Sequence, residues 1–236
     1  MILITGGCSF SAPSNGCHTW PEHLTNELLC ESHHTGVSST GNGIITKRVL
    51  LELSTRFDQK EELLVGIMWS GPDRSESYTD DSRIISKISS KNTDGWQVNP
   101  LRFPKDDPGA WVIHNTHWST RYARHFYKNY NQVEGSVNTF QSILLMQTFL
   151  ERHNIKYFMS NFTANTFSNV DHPSVSYLNS MIDYNKFLNV EGCMEWCRDN
   201  TKHNFDDELY FHPTKEQHLQ FTQQVIMPHL QDHKLI

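Results

Sequence analysis

Two residues at opposite ends of the chain carry the chemistry this sequence offers. Ser9 stands in MILITGGCSFS, where a short apolar run stops on Gly6 and Gly7, and His212 stands in FHPTKEQ. A serine hydroxyl is a weak nucleophile until a neighbouring base takes its proton. An acyl carbonyl under attack also needs donors aimed at its developing oxyanion, and backbone N–H groups at glycine turns supply them. Thr40-Gly41-Asn42-Gly43 is such a turn. Serine, histidine and glycine N–H groups together point to acyl transfer. Each also has a plainer role: Ser9 as a turn residue, Gly41 and Gly43 as punctuation with Asn42 capping a helix, His212 as a structural histidine before one. Cys8, beside Ser9, is a lesser candidate nucleophile.

These residues can meet only if the elements between them form a parallel sheet, because such strands all end on one rim. Met1–Thr5 reads as a buried strand, and Glu62–Ser70 (ELLVGIMWS) as the central one, apolar on both faces. Between them Thr19-Trp20-Pro21-Glu22 is a helix start with a capping box, followed by Leu24, Leu28 and Leu29 on an apolar face. His34–Ser38 is the expected second strand. Ile44, Ile45, Val49, Leu53 and Phe57 keep helical spacing after the glycine turn. A long helix over 133–153 closes at Asn154, and Ile155–Phe162 is the next strand. Pro213 opens a terminal helix with Leu219, Thr222, Val225 and Ile226 inward and His218 as packing or surface. The alternation predicts an α/β protein, a three-layer sandwich on a parallel sheet. Gly7-Cys8-Ser9, Gly41-Asn42-Gly43 and Ser70 then fall on one rim, with His212 brought in by the last helix.

The pattern breaks from about 71 to 131, which is polar and carries Trp96, Trp111, Trp118 and several tyrosines. A structureless connection of about 60 residues is far outside the usual range. The expectation is a single domain over 1–236 with an inserted lid or subdomain, helical over 119–129. Its aromatic residues either pack on one another or line a substrate groove. Arg74 and Glu76 at its start either pair and hold it, the favoured reading, or touch substrate.

With 20 basic and 26 acidic residues the formal charge is −6, and no basic stripe exists to neutralise nucleic-acid phosphates. No apolar run reaches the roughly 20 residues of a membrane helix. Five cysteines, an odd count without secretory features, favour reduced thiols in a cytoplasm-like compartment. Cys193 and Cys197 can share a helix face, but two cysteines do not make a zinc site. Fourteen histidines lack the HExxH pattern, and most read as solvated loop residues.

GGCSFS (6–11), TWPEHL (19–24), TGNGI (40–44) and HPTKEQHLQF (212–221) resemble the blocks of the SGNH/GDSL hydrolase superfamily, most of all its small phage-encoded members. The resemblance implies a flavodoxin-like sheet and no cofactor. It assigns Ser9 as nucleophile and oxyanion donor, Gly41 as second donor and His212 as general base. It also implies an asparagine donor in a third block, where this chain has Ser70 and where Asn42 is the substitute. An orienting acid is implied three residues before the histidine. That position is Leu209, and Glu208, on the same side as His212 in an extended segment, takes the role ahead of Asp207. The expected activity is a serine esterase or acetylesterase working on a small ester or an acylated carbohydrate, in the host cytoplasm if phage-encoded. The competing expectation is a non-catalytic binding or virion-associated module on the same fold.

Overall fold

A computed structural model describes residues 1–12, 18–56, 61–83, 85–86, 101, 108–114, 121–167, 170–201 and 212–236. The strands are β1 (Ile2–Gly6), β2 (Glu31–His34), β3 (Leu63–Trp69), β4 (Ser75–Thr79), β5 (Ala110–His114) and β6 (Lys156–Asn161). The helices are α1 (Trp20–Leu28), α2 (Asn42–Ser54), α3 (Arg121–Asn129), α4 (Gln132–Arg152), α5 (Pro173–Asn179), α6 (Cys193–Asn200), α7 (Lys215–Phe221) and α8 (Met227–Asp232). A π-helical turn, Thr222–Ile226, joins α7 to α8.

Four strands form a parallel sheet in the order β2-β1-β3-β6. Strand side chains alternate between faces, and both faces here are covered. Ile2 and Ile4 join Ile45, Val49 and Leu53 of α2 and Phe140, Ile143 and Met146 of α4 in one cluster. Leu3, between them, joins Trp20 and Leu24 of α1, Cys193 and Cys197 of α6, Phe221, and Leu230 of α8 in the other. The fold is therefore mixed α/β, with helices packed on both sides of a parallel sheet. No helix among the described residues is long and apolar enough to cross a membrane.

Two local expectations need correction. The second strand is Glu31–His34 rather than 34–38. It is an edge strand of half-exposed polar residues, so hydropathy does not mark it. His34 Nδ1 lies 2.8 Å from Thr5 Oγ1, and the chain then runs on beside β1 through Thr35 N→Thr5 O and Val37 N→Gly7 O. Leu29 is not on the apolar face of α1. It ends the helix in a left-handed conformation and is 91% exposed. Of the two readings of His218, packing or surface, the structure shows packing, since it is buried. The start of α1 is as expected, with Glu22 Oε2 accepting from Thr19 N at 2.8 Å.

Within the 71–131 segment, β4 and β5 form an antiparallel pair and α3 follows. Trp111 lies on β5 against the Tyr78 ring, with Lys47 Nζ 4.6 Å from its own ring centre. Trp96 and Trp118 lie outside the described residues. The expected Arg74–Glu76 pair does not form. Glu76 faces Lys47 at 3.6 Å instead, and Arg74 donates to Ser70 Oγ at 2.9 Å.

Candidate active site

The turn after β1 is built before it is functional. Ser11 N donates to Cys8 O at 2.9 Å and closes a four-residue turn with Ser9 and Phe10 at its corners. Ser11 Oγ accepts from the Trp20 indole at 2.9 Å, tying the turn to α1. Gly7 is required by contact, since a Cβ there would stand 2.2 Å from Ser11 Oγ. The neighbours of Ser9 on both sides, Cys8 and Phe10, are buried, and Ser9 alone is half-exposed. Its backbone N–H has no partner among the described residues.

His212 arrives from the far end of the chain. Thr214 caps α7 in a reciprocal pair, Gln217 N→Thr214 Oγ1 at 3.2 Å and Thr214 N→Gln217 Oε1 at 2.9 Å. Gln217 Nε2 also donates to Thr201 Oγ1 at 2.8 Å. These bonds fix the entry of α7, and His212 Nε2 then lies 2.7 Å from Ser9 Oγ. With the imidazole neutral and its proton on Nδ1, Nε2 accepts and the serine hydroxyl donates.

A chain of rings surrounds this pair. Phe10 packs on His212 with ring centres 4.8 Å apart and on Phe162 at 5.2 Å, and Arg74 lies over Phe162 at 4.9 Å. His212 is exposed at the residue level, but its ring is covered on the Phe10 side. Desolvation first, and the positive charge of Arg74 second, hold its pKa below the ordinary histidine value. A lowered pKa keeps Nε2 free to accept a proton near neutral pH. Behind Phe10, buried His218 is pushed down to about 3, by burial and then by the charges of His23 and His212.

The other predicted site residues are placed differently. Asn42 Nδ2 donates to Ser70 O and to Thr139 Oγ1, both at 3.0 Å, while its Oδ1 accepts from Ser70 N at 2.7 Å. Both amide hydrogens are committed, so the side chain pins the start of α2 to the end of β3 and has none left for an oxyanion. Ser70 is buried and its hydroxyl accepts from Arg74. Gly41 is the N-cap of α2, where a Cβ would stand 2.6 Å from Arg74 O and 2.8 Å from Glu76 Oε2. Cys8 is fully buried in the apolar cluster, which leaves its thiol no access. Glu208 and Asp207 lie outside the described residues. Among the described residues no group of three or more metal-ligating side chains is clustered, and Cys193, fully buried beside Cys197, has its pKa raised by burial.

Sequence reasoning missed Arg74, Phe10 and Phe162 as the surroundings of His212. In the sequence Arg74 reads as an ion-pair partner of Glu76 or a substrate contact, not as a charge beside His212. Its partners lie at the ends of β3 and β6, and no local spacing marks them.

Neither a curated protein nor a solved structure matches the chain. The likeness to SGNH/GDSL hydrolases is overturned as a statement of kinship, because the family model that matches is a different one. That match begins three residues after Ser9 and includes His212. Over residues 12–236 the chain fits the model described as "Family of unknown function (DUF6071)", and it belongs to that family.

Proposed function

We propose that this protein is a serine hydrolase that cleaves an O-acyl ester. The observation that carries the reading is the 2.7 Å contact between Ser9 Oγ and His212 Nε2. It joins a half-exposed serine to a histidine held in its neutral form, the arrangement nucleophilic acyl transfer requires. Ser9 Oγ attacks the acyl carbon as His212 Nε2 takes its proton. The tetrahedral intermediate collapses, the C–O bond to the alcohol breaks, and His212 returns the proton to the departing oxygen. Water, deprotonated by the same nitrogen, then attacks the acyl-serine, the acyl–Oγ bond breaks to release the acid, and His212 returns the proton to Ser9 Oγ. The unpartnered Ser9 N–H is the oxyanion donor we assign. The free thiols of Cys8, Cys30, Cys193 and Cys197 support placing it in a reducing, cytoplasm-like compartment.

A fluorophosphonate probe tests the reading. Stoichiometric phosphonylation at Ser9, with loss of p-nitrophenyl acetate hydrolysis in Ser9→Ala and His212→Ala, is the expected result. A folded wild-type protein that takes no label over hours overturns it and leaves a binding module on this fold.

A further inference from the structure

A cavity of about 590 Å³ lies between the start of α2, the loop after β3, and helices α3 and α4. That size is within the range of small-molecule sites. Ser9 and His212 do not line it, but Asn42 and Arg74 do. Arg74 lies over Phe162 and acts electrostatically on His212, so it stands at the junction of cavity and catalytic pair.

Glu76 lines the cavity with a side chain only 7% exposed, and its Oε2 has no partner among the described residues. The Tyr130 hydroxyl, on the same wall, is also buried without one. Buried polar atoms are nearly always satisfied, so two unpartnered oxygens in the wall of one cavity mark where a ligand, with a small shift of that wall, can complete them. Burial raises the pKa of Glu76, against the charge of Lys47 and a hydrogen bond from the Ile44 backbone. Asn138 and Gln141 add exposed amides from α4, and Phe126 adds an aromatic ring.

The charges do not favour an anion. Lys47 faces Glu76, Arg74 is held by Ser70 Oγ, and Glu134 lines the same cavity. Carboxyl, phenol, amides and an aromatic face together suit a neutral polyhydroxylated ring. Its hydroxyls both donate and accept, and its C–H face packs on the aromatic one.

We propose that this cavity binds a glycosyl unit, and, resting on the hydrolase reading, that this unit is the alcohol portion of the ester. The test sets a panel of mono-O-acetyl methyl glycosides (gluco, galacto, manno, xylo and N-acetylglucosamine) against ethyl acetate and p-nitrophenyl acetate. At least one glycoside should exceed ethyl acetate by about tenfold in kcat/KM. Glu76→Gln and Asn138→Leu should each lower the ratio of kcat/KM for that glycoside over p-nitrophenyl acetate by about tenfold. Asn138 is exposed, so its variant keeps the fold even where Glu76→Gln does not. Equal losses on both substrates, or no glycoside above ethyl acetate, overturn the proposal. Binding separates the two readings. Ser9→Ala should give saturation-transfer NMR signals from the unacetylated methyl glycosides, and added Asn138→Leu should abolish them. Glycoside binding without any esterase activity sinks the hydrolase and keeps the cavity, while p-nitrophenyl acetate hydrolysis without glycoside binding does the reverse.

Discussion

Replacing Asn42 with alanine separates a structural from a catalytic role at the rim. The carboxamide makes three hydrogen bonds, to Ser70 N, Ser70 O and Thr139 Oγ1. Ser70 is fully buried and Thr139 is 2% exposed, so the truncation strands three polar groups that water cannot reach without opening the rim. Each such group costs about 1–3 kcal/mol, and partial relaxation brings the expected loss to about 3–5 kcal/mol. That is a large share of the roughly 5–15 kcal/mol stability of a typical domain. For a chain of this size it corresponds to a fall in Tm of about 10 °C. Urea unfolding, with the slope compared between variant and parent, measures it. The fluorophosphonate labelling rate of the folded fraction is read in parallel. Loss of an oxyanion donor costs ~10²–10³ in rate, and because both amide hydrogens are already committed the labelling rate should fall far less than that. A stability loss below about 1 kcal/mol at unchanged slope, or a rate loss of the oxyanion-donor size without destabilisation, would refute this placement of Asn42.

Three further outcomes are expected. Arg74→Ala removes the positive charge beside His212, so the His212 pKa should rise and the acidic limb of the p-nitrophenyl acetate pH–rate profile should move to higher pH; an unmoved limb would show that Arg74 does not act on the base. Buried His218 titrates at about 3 in the folded chain against about 6.5 unfolded, so the unfolded state binds the extra proton and stability should fall as pH drops below about 6.5, by about 2 kcal/mol at pH 5; a variant without this histidine, such as His218→Phe, should lose that part of the acid sensitivity, as read by urea unfolding at pH 7 and pH 5. Trp20→Phe keeps most of the ring burial but removes the indole donor to Ser11 Oγ, which should cost about 1 kcal/mol or more and slow Ser9 labelling by loosening the turn; full labelling at parental stability would show that the bond does not hold Ser9 in place.

What could be read in the sequence follows from how local its cause is. Strand β1, the glycines behind Ser9, the helical spacing of Ile45, Val49 and Leu53, and the start of α1 arise from short-range sterics and periodicity. Edge strand β2 has a different cause. Its polar residues gain their place from the ladder with Ile2–Thr5 and from His34 meeting Thr5, partners far along the chain. Charge pairing is less local still. Arg74 and Glu76 are two residues apart, a spacing that would share one face of a strand, but Arg74 lies in the turn before β4 and only Glu76 lies on it. One then finds Ser70 and Phe162 near His212, the other Lys47 at the start of α2.

The contact between Ser9 and His212 is the most distant in sequence of those discussed, yet its partners are readable, because topology rather than side-chain detail brings them together. A parallel sheet puts the turn after β1 on its carboxyl rim wherever the rest of the chain goes. The last helix covers the same face as α1, since Phe221 and Leu230 share a cluster with Trp20 and Leu24. The residue entering that helix must then pass close to the turn that Trp20 anchors. Asn42 shows the converse. Its position on the rim follows from the fold, but whether its amide faces a substrate or the backbone of Ser70 depends on hydrogen bonds about 3 Å long to groups on two other elements. Topology delivers a residue to a site, and the polar partners already waiting there decide whether its side chain is free to act.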